Sequence, residues 1–181
     1  MIIQRVRSFK LLGVIIEDNL KWNNHVDFIC KKASSRLYFL KVLKRSSVSA
    51  TDMLHFYKTT IIPALEYACP VWHNSLNIEQ SYRIESIQKR AIKIIYGPGD
   101  YHDICMKQSL PTLASRRTEI CTSFFNKFVL NKNSCLHYLL PRPRGEEAEK
   151  LRRPLPFVPQ TARTTRFQRS YLICALNNYQ I

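Results

Sequence analysis

The side chains best able to do chemistry in this chain are cations. Lys89, Arg90 and Lys93 crowd one stretch with helical spacing, and Lys31, Lys32 and Arg36 crowd another. Ammonium and guanidinium groups gathered in this way neutralise phosphates, which positions a nucleic-acid backbone without reading its bases. Either triplet alone would pass for a solvated helix face; two of them in one chain argue for a polyanion. Other constellations fall short. Cys69 with His73, and Cys135 with His137, each offer two metal ligands, whereas zinc needs about four, and no Cys-x-x-Cys or paired histidine completes a set. These cysteines read as structural, and no metal site is expected. His102 and Asp103 beside Cys105 imitate a nucleophile and its base, but sequence neighbours rarely converge on one point. No catalytic residue is assigned. Tyr and Phe along the helices have the chemistry to stack on bases, yet at helical spacing they read as core. The run from Lys41 to Arg45 is too short to stand as a nuclear signal.

Composition points the same way. Twenty-eight Lys and Arg against thirteen Asp and Glu leave a net charge of +15 over 181 residues. Such a charge repels itself in a compact state and draws polyanions, nucleic acid first and an anionic membrane surface second. No apolar run approaches the ~20 residues of a membrane span, and residues 1–7 lack the apolar core of an export signal. The expectation is an intracellular protein, nuclear or cytoplasmic, with no membrane partner. Its six widely spaced cysteines are then reduced thiols. The length suits one ordinary domain with a small appendage.

The elements that must carry the cations follow from periodicity. β-branched residues and Gly13 within residues 2–16 predict a short hairpin, closed off by Glu17-Asp18-Asn19. Val26, Ile29, Cys30, Ala33, Leu37 and Leu40 mark one face of a long helix, with Asn23 or Asn24 as its cap and Asp27 in its first turn. Ser49 and Asp52 open a second helix, which Pro63 must kink or end. Leu65 to Trp72 is an apolar stretch containing Pro70, and Trp72 should be buried. Ile84, Ile87, Ala91, Ile94 and Ile95 define a helix from about Asn77 to Tyr96, stopped by Gly97-Pro98. A short turn at 103–107 and another long helix from Leu113 follow. The predicted organisation is mainly α: a β element at 1–22, a helical domain at 23–140, a Pro- and Arg-rich arm at 141–166 and a short docking segment at 167–181.

Four stretches, in order, resemble the region after the catalytic palm in reverse transcriptases of LINE-type, jockey-like non-LTR retrotransposons. They are Phe9-Lys10-Leu11-Leu12-Gly13-Val14-Ile15-Ile16; Leu20-Lys21-Trp22 with His25 and Cys30-Lys31-Lys32-Ala33; the block from Leu65 to Gly97; and Leu110-Pro111-Thr112-Leu113 with Arg116-Arg117 and Arg163-Thr164-Thr165-Arg166-Phe167. The resemblance implies that Leu12 and Gly13 belong to a primer-grip hairpin and that the helices form a thumb-like bundle. It implies RNA and DNA as partners, as an RNA–DNA duplex. Polymerisation of this type uses aspartates holding two divalent metal ions in the palm. This chain has no adjacent Asp pair and begins eight residues before Phe9, so no cofactor is expected in it and it should not polymerise alone. If Met1 is not the true start, the palm itself becomes a partner. The contrasting expectation is an inert relic or helical interaction module whose charge only keeps it soluble.

Overall fold

Strands β1 (Ser8–Leu11) and β2 (Val14–Glu17) pair antiparallel with Leu11 opposite Val14, which leaves only Leu12 and Gly13 to make the turn. Both take positive φ, 46° and 85°, the pair of left-handed conformations that lets a two-residue loop follow the strand twist. The computed structural model describes residues 5–144, 157–158 and 160–179. Tyr67 donates its hydroxyl hydrogen to the Leu12 carbonyl at 2.9 Å. A Cβ on Gly13 would stand 3.2 Å from the same ring. Gly13→Ala is therefore expected to lower stability by about 1–2 kcal/mol, from backbone strain plus displacement of Tyr67. Urea unfolding checks this; a variant as stable as the parent refutes it.

The hairpin caps the helix that follows. Helix α1 (Asn23–Arg45) starts after Trp22, which sits in the left-handed region, and neither Asn23 nor Asn24 is its cap. Instead the buried Glu17 carboxylate accepts the Asn24 backbone N–H at 3.0 Å and the Asn24 side-chain amide at 3.1 Å. The carboxylate thus meets the positive end of the helix from outside it. Asp27 lies beyond the first turn and pairs instead with Arg83. The predicted apolar face of α1 is buried except for Cys30, which is half-buried.

Ser49 caps α2 (Ala50–Phe56), accepting the Asp52 N–H at 3.1 Å. Pro63 does not end this segment. A π turn at Tyr57–Ile61 precedes it and helical structure resumes as α3 (Ile62–Glu66), with Pro63 in its opening turn. Widening the spiral just ahead of the ring accommodates a residue that would otherwise meet the carbonyl four positions back.

Helix α4 (Cys69–Trp72) and a 3₁₀ turn (His73–Ser75) come next, and Trp72 is fully buried. Helix α5 (Ile78–Tyr96) opens with a reciprocal capping box: Asn77 accepts from Gln80 N–H at 2.7 Å, and Gln80 accepts from Asn77 N–H at 2.9 Å. Helices α6 (Tyr101–Lys107) and α7 (Leu113–Phe124) follow, the latter running into a π turn at Phe125–Val129. Helices α8 (Thr165–Gln168) and α9 (Tyr171–Asn178) lie near the C-terminus. The protein is mainly helical with a short two-stranded N-terminal hairpin. Of the arm expected at 141–166, residues 145–156 and 159 lie outside the described residues; Pro143 and Phe157 form an isolated antiparallel bridge.

The chain divides into two compact units. The first comprises Met1–Ala68 and Leu76–Arg116, the second Cys69–Ser75 and Arg117–Ile181. In the first, Val26, Ile29, Ala33, Leu37 and Leu40 of α1 and Ile84, Ile87, Ala91 and Ile95 of α5 are buried, and the two helices pack against each other. A buried polar network centres on Gln88. It accepts the Tyr57 hydroxyl at 2.7 Å and donates to the Tyr101 hydroxyl at 2.8 Å and the Pro111 carbonyl at 3.1 Å. Tyr101 donates in turn to Glu85 at 2.6 Å, and Glu85 also receives the Leu113 N–H at 3.0 Å. Burial pushes both tyrosines above their ordinary pKa, so they stay neutral donors. Gln88→Leu strands the Tyr57 hydroxyl and the Pro111 carbonyl together, and should cost about 2–3 kcal/mol in chemical denaturation. A loss below about 0.5 kcal/mol would contradict the network.

In the second unit the fully buried Arg117 lies over the Trp72 ring, 5.7 Å from its centroid, and donates Nε–H to His73 Nδ1 at 3.2 Å. Tyr171 donates to the Cys121 carbonyl at 3.0 Å. The Cys121 thiol is pulled below its ordinary pKa by a hydrogen bond with Cys69 and by nearby Arg117, against the effect of burial. No disulfide joins the six cysteines.

Candidate nucleic-acid interface

Within the first unit, α1 and α5 run parallel. Near their N-terminal ends Gln80 donates to the Lys21 carbonyl and the Asn23 side chain, both at 2.7 Å, and Arg83 pairs with Asp27. Near their C-terminal ends Lys44 donates to the Ile95 carbonyl at 2.8 Å, a cation placed on the negative end of α5. With the ends matched, helical spacing decides what shares the outward side. Arg90 follows Arg83 by seven residues, so it lies on the edge of α5 beside α1, with exposed Lys93 next to it. On α1, Lys31, Lys41 and Arg45 are exposed, and their spacing from Asp27 puts them on the side turned towards that edge. Asp27 is the sole acid of α1, and its charge is met by Arg83.

The six cations singled out by sequence do not all serve one surface. Lys31, Lys32, Arg90 and Lys93 are exposed. Arg36 is half-buried and donates to the Thr60 carbonyl within the π turn. It has work inside the fold. Lys89 is half-buried too, its ammonium 5.2 Å from the Tyr82 ring centroid and 5.4 Å from that of Tyr101. Lys32 turns to the side of α1 opposite α5, in line with Phe28, whose ring carries the Lys10 ammonium 4.6 Å from its centroid. Sequence reasoning passed over Lys41 and Arg45 as binding residues and set the aromatics inside. Tyr38, Phe39 and Tyr82 are exposed; the helices bury their aliphatic stripes and leave these rings outside.

Leu12 stands at the hairpin tip with 83% of its surface exposed, and Gly13 behind it rests on Tyr67. Arg116 is spent on a two-pronged pair with Glu66, Nε to Oε1 at 2.6 Å and Nη2 to Oε2 at 3.1 Å. Among the described residues no group of three or more His, Cys, Asp or Glu side chains gathers as metal ligands. Nor, among them, is any helix long and apolar enough to cross a membrane. The second unit holds a cavity of about 240 Å³ lined in part by Thr122, Phe125, Asn126, Tyr171 and Asn178. Among the described residues its lining presents amides and rings but no cation.

A curated protein of Drosophila melanogaster, described as a probable RNA-directed DNA polymerase from transposon X-element, is 27% identical over 150 residues. That match relates the chain to one region of a transposon reverse transcriptase. It takes in 81% of this chain and only 15% of the polymerase, so the chain spans a small part of its relative's length. A family model described as the N-terminal region of alkylated DNA repair protein alkB homolog 8 matches residues 22–62, which cover α1 to the start of α3. No solved structure matches.

Proposed function

We propose that this chain is the duplex-holding, thumb-like part of a LINE-type retrotransposon reverse transcriptase, and that it grips primer–template nucleic acid without polymerising. The observation that carries the reading is the outward side of the α1–α5 pair. Lys31, Lys41, Arg45, Arg90 and Lys93 lie there on two parallel helices, and the one acid of α1 is already paired. Two rigid helices joined at both ends hold their cations at fixed separations, so the phosphates meet a prearranged surface and little order is lost on binding. The relation to a transposon polymerase supplies the duplex as ligand. Leu12 and Gly13 are proposed as the grip: a two-residue turn anchored by Tyr67 places one apolar side chain at a fixed point beyond the strands. The sequence has no adjacent Asp pair with which to hold two metal ions.

Anisotropy titration of a labelled RNA–DNA duplex with the full chain at about 50 mM salt tests this. Binding that weakens steeply as salt rises is expected. Absence of binding at that salt overturns the reading.

A further inference from the structure

The surface of α1 carries two exposed rings that duplex holding does not use, set beside cations of which Lys31 and Arg45 also belong to the duplex face. Lys31 and Lys32 are followed seven residues later by Tyr38 and Phe39, and seven later again by Arg45 and Ser46. Seven residues are two helical turns, so Lys31, Tyr38 and Arg45 form one stripe about 10 Å between neighbours, and Lys32 and Phe39 form a second beside it. All five side chains are exposed, Tyr38 by 61% and Phe39 by 56%. The two rings meet edge to face, centroids 5.7 Å apart and planes at 73°, so each braces the other. Phe39 is among the large apolar side chains that a solvated face would not select, and Lys32 precedes it by two helical turns.

Within a duplex the base faces are covered by neighbouring bases, and rings on a protein find nothing to stack on. An unpaired strand offers both parts of what this face complements: phosphates for the cations and open base faces for the rings. We infer that the Lys31–Arg45 stripe of α1 binds single-stranded nucleic acid, with bases stacking on Tyr38 and Phe39 while Lys31, Lys32 and Arg45 hold the flanking phosphates. The inference rests on the proposed nucleic-acid role and names a second ligand for it, an unpaired strand continuous with the duplex.

Stacking and phosphate contact respond differently to salt, which makes the two separable. Counterion release sets the log–log slope, while a stacked ring contributes affinity that ions barely change. The full chain is titrated with a labelled single strand of about 12 nucleotides and with a blunt RNA–DNA duplex, each at several salt concentrations. Tyr38→Ala/Phe39→Ala should weaken single-strand binding about tenfold or more with its salt slope unchanged, and shift duplex binding less than about twofold. Tyr38→Leu/Phe39→Leu should lose as much, since leucine keeps the apolar surface and lacks the ring face. Both pairs are exposed, so thermal melts should match the parent. Single-strand binding that survives the Ala pair overturns the stacking inference and leaves the duplex reading standing. Binding lost with Ala and kept with Leu overturns it as well, marking the rings as an apolar docking surface for protein. Failure of the parent to bind either ligand overturns both.

Discussion

Replacing Lys31, Arg90 and Lys93 together by Gln should lower the log–log salt slope of duplex binding by about 2.7, three phosphates at roughly 0.9 each. A fourfold rise in salt would then weaken the variant some 40-fold less than it weakens the parent. The melting temperature should hold, because all three side chains are exposed and, among the described residues, none has a structural partner comparable to that of Arg83 or Lys44. Two single variants sharpen the result. Lys89→Gln should change the slope far less than Arg90→Gln, since the Lys89 ammonium lies against the Tyr82 and Tyr101 rings. Arg36→Gln should act on stability rather than on the slope, because its guanidinium serves the Thr60 carbonyl. Salt titrations of duplex affinity decide the matter. A slope unchanged in the triple variant would remove the α1–α5 face from the interface.

That division among like cations marks where sequence stops being informative. Periodicity located α1 and α5 and their buried stripes, because an aliphatic side chain at every third or fourth position has only one way to leave water. The cap of α2 was legible for a similar reason: Ser49 and Asp52 act within one turn of chain. The cap of α1 was not, because its acceptor is Glu17 on β2, and nothing local distinguishes a carboxylate that will reach Asn24 from one that stays in water. Pro63 announces a kink or an end in the sequence, whereas the π turn before it, with Tyr57 and Ile61 buried, shows only in the assembled fold. Arg36 and Lys89 look no different in sequence from Lys31 and Arg90. Their partners, Thr60 and Tyr101, sit on other elements, and only the assembled unit brings them together. The exposure of Tyr38 and Phe39 belongs to the same class, since α1 already fills its inner face with aliphatic side chains and has no room there for two rings.

Acid should destabilise both units of this chain well before its carboxylates protonate. His25 is fully buried, and its Nδ1 accepts the Ile15 N–H at 3.3 Å, tying β2 to α1. Burial lowers its pKa from 6.5 to about 4. In the second unit burial, helped by the Arg117 charge, lowers His73 to about 4 as well, and its Nδ1 accepts from Arg117 Nε–H. For a base whose folded pKa is depressed, the unfolded chain takes up the proton first. Stability is complete above the unfolded value near 6.5, falls between there and about 4, and levels off below. Each depressed histidine contributes at most roughly 3.5 kcal/mol across that window, because one pKa unit is worth about 1.4 kcal/mol. Urea midpoints measured from pH 7.5 down to pH 4.8, above the ordinary carboxylate range, should therefore hold to about pH 6.5 and decline below it. His25→Gln keeps an acceptor for Ile15 and cannot titrate, so it should flatten the part of the decline that reports the first unit. His73→Gln should do the same for the second. A midpoint that stays level through this range, or a decline that persists unchanged when both histidines are replaced, would mean that neither imidazole is held neutral by the fold.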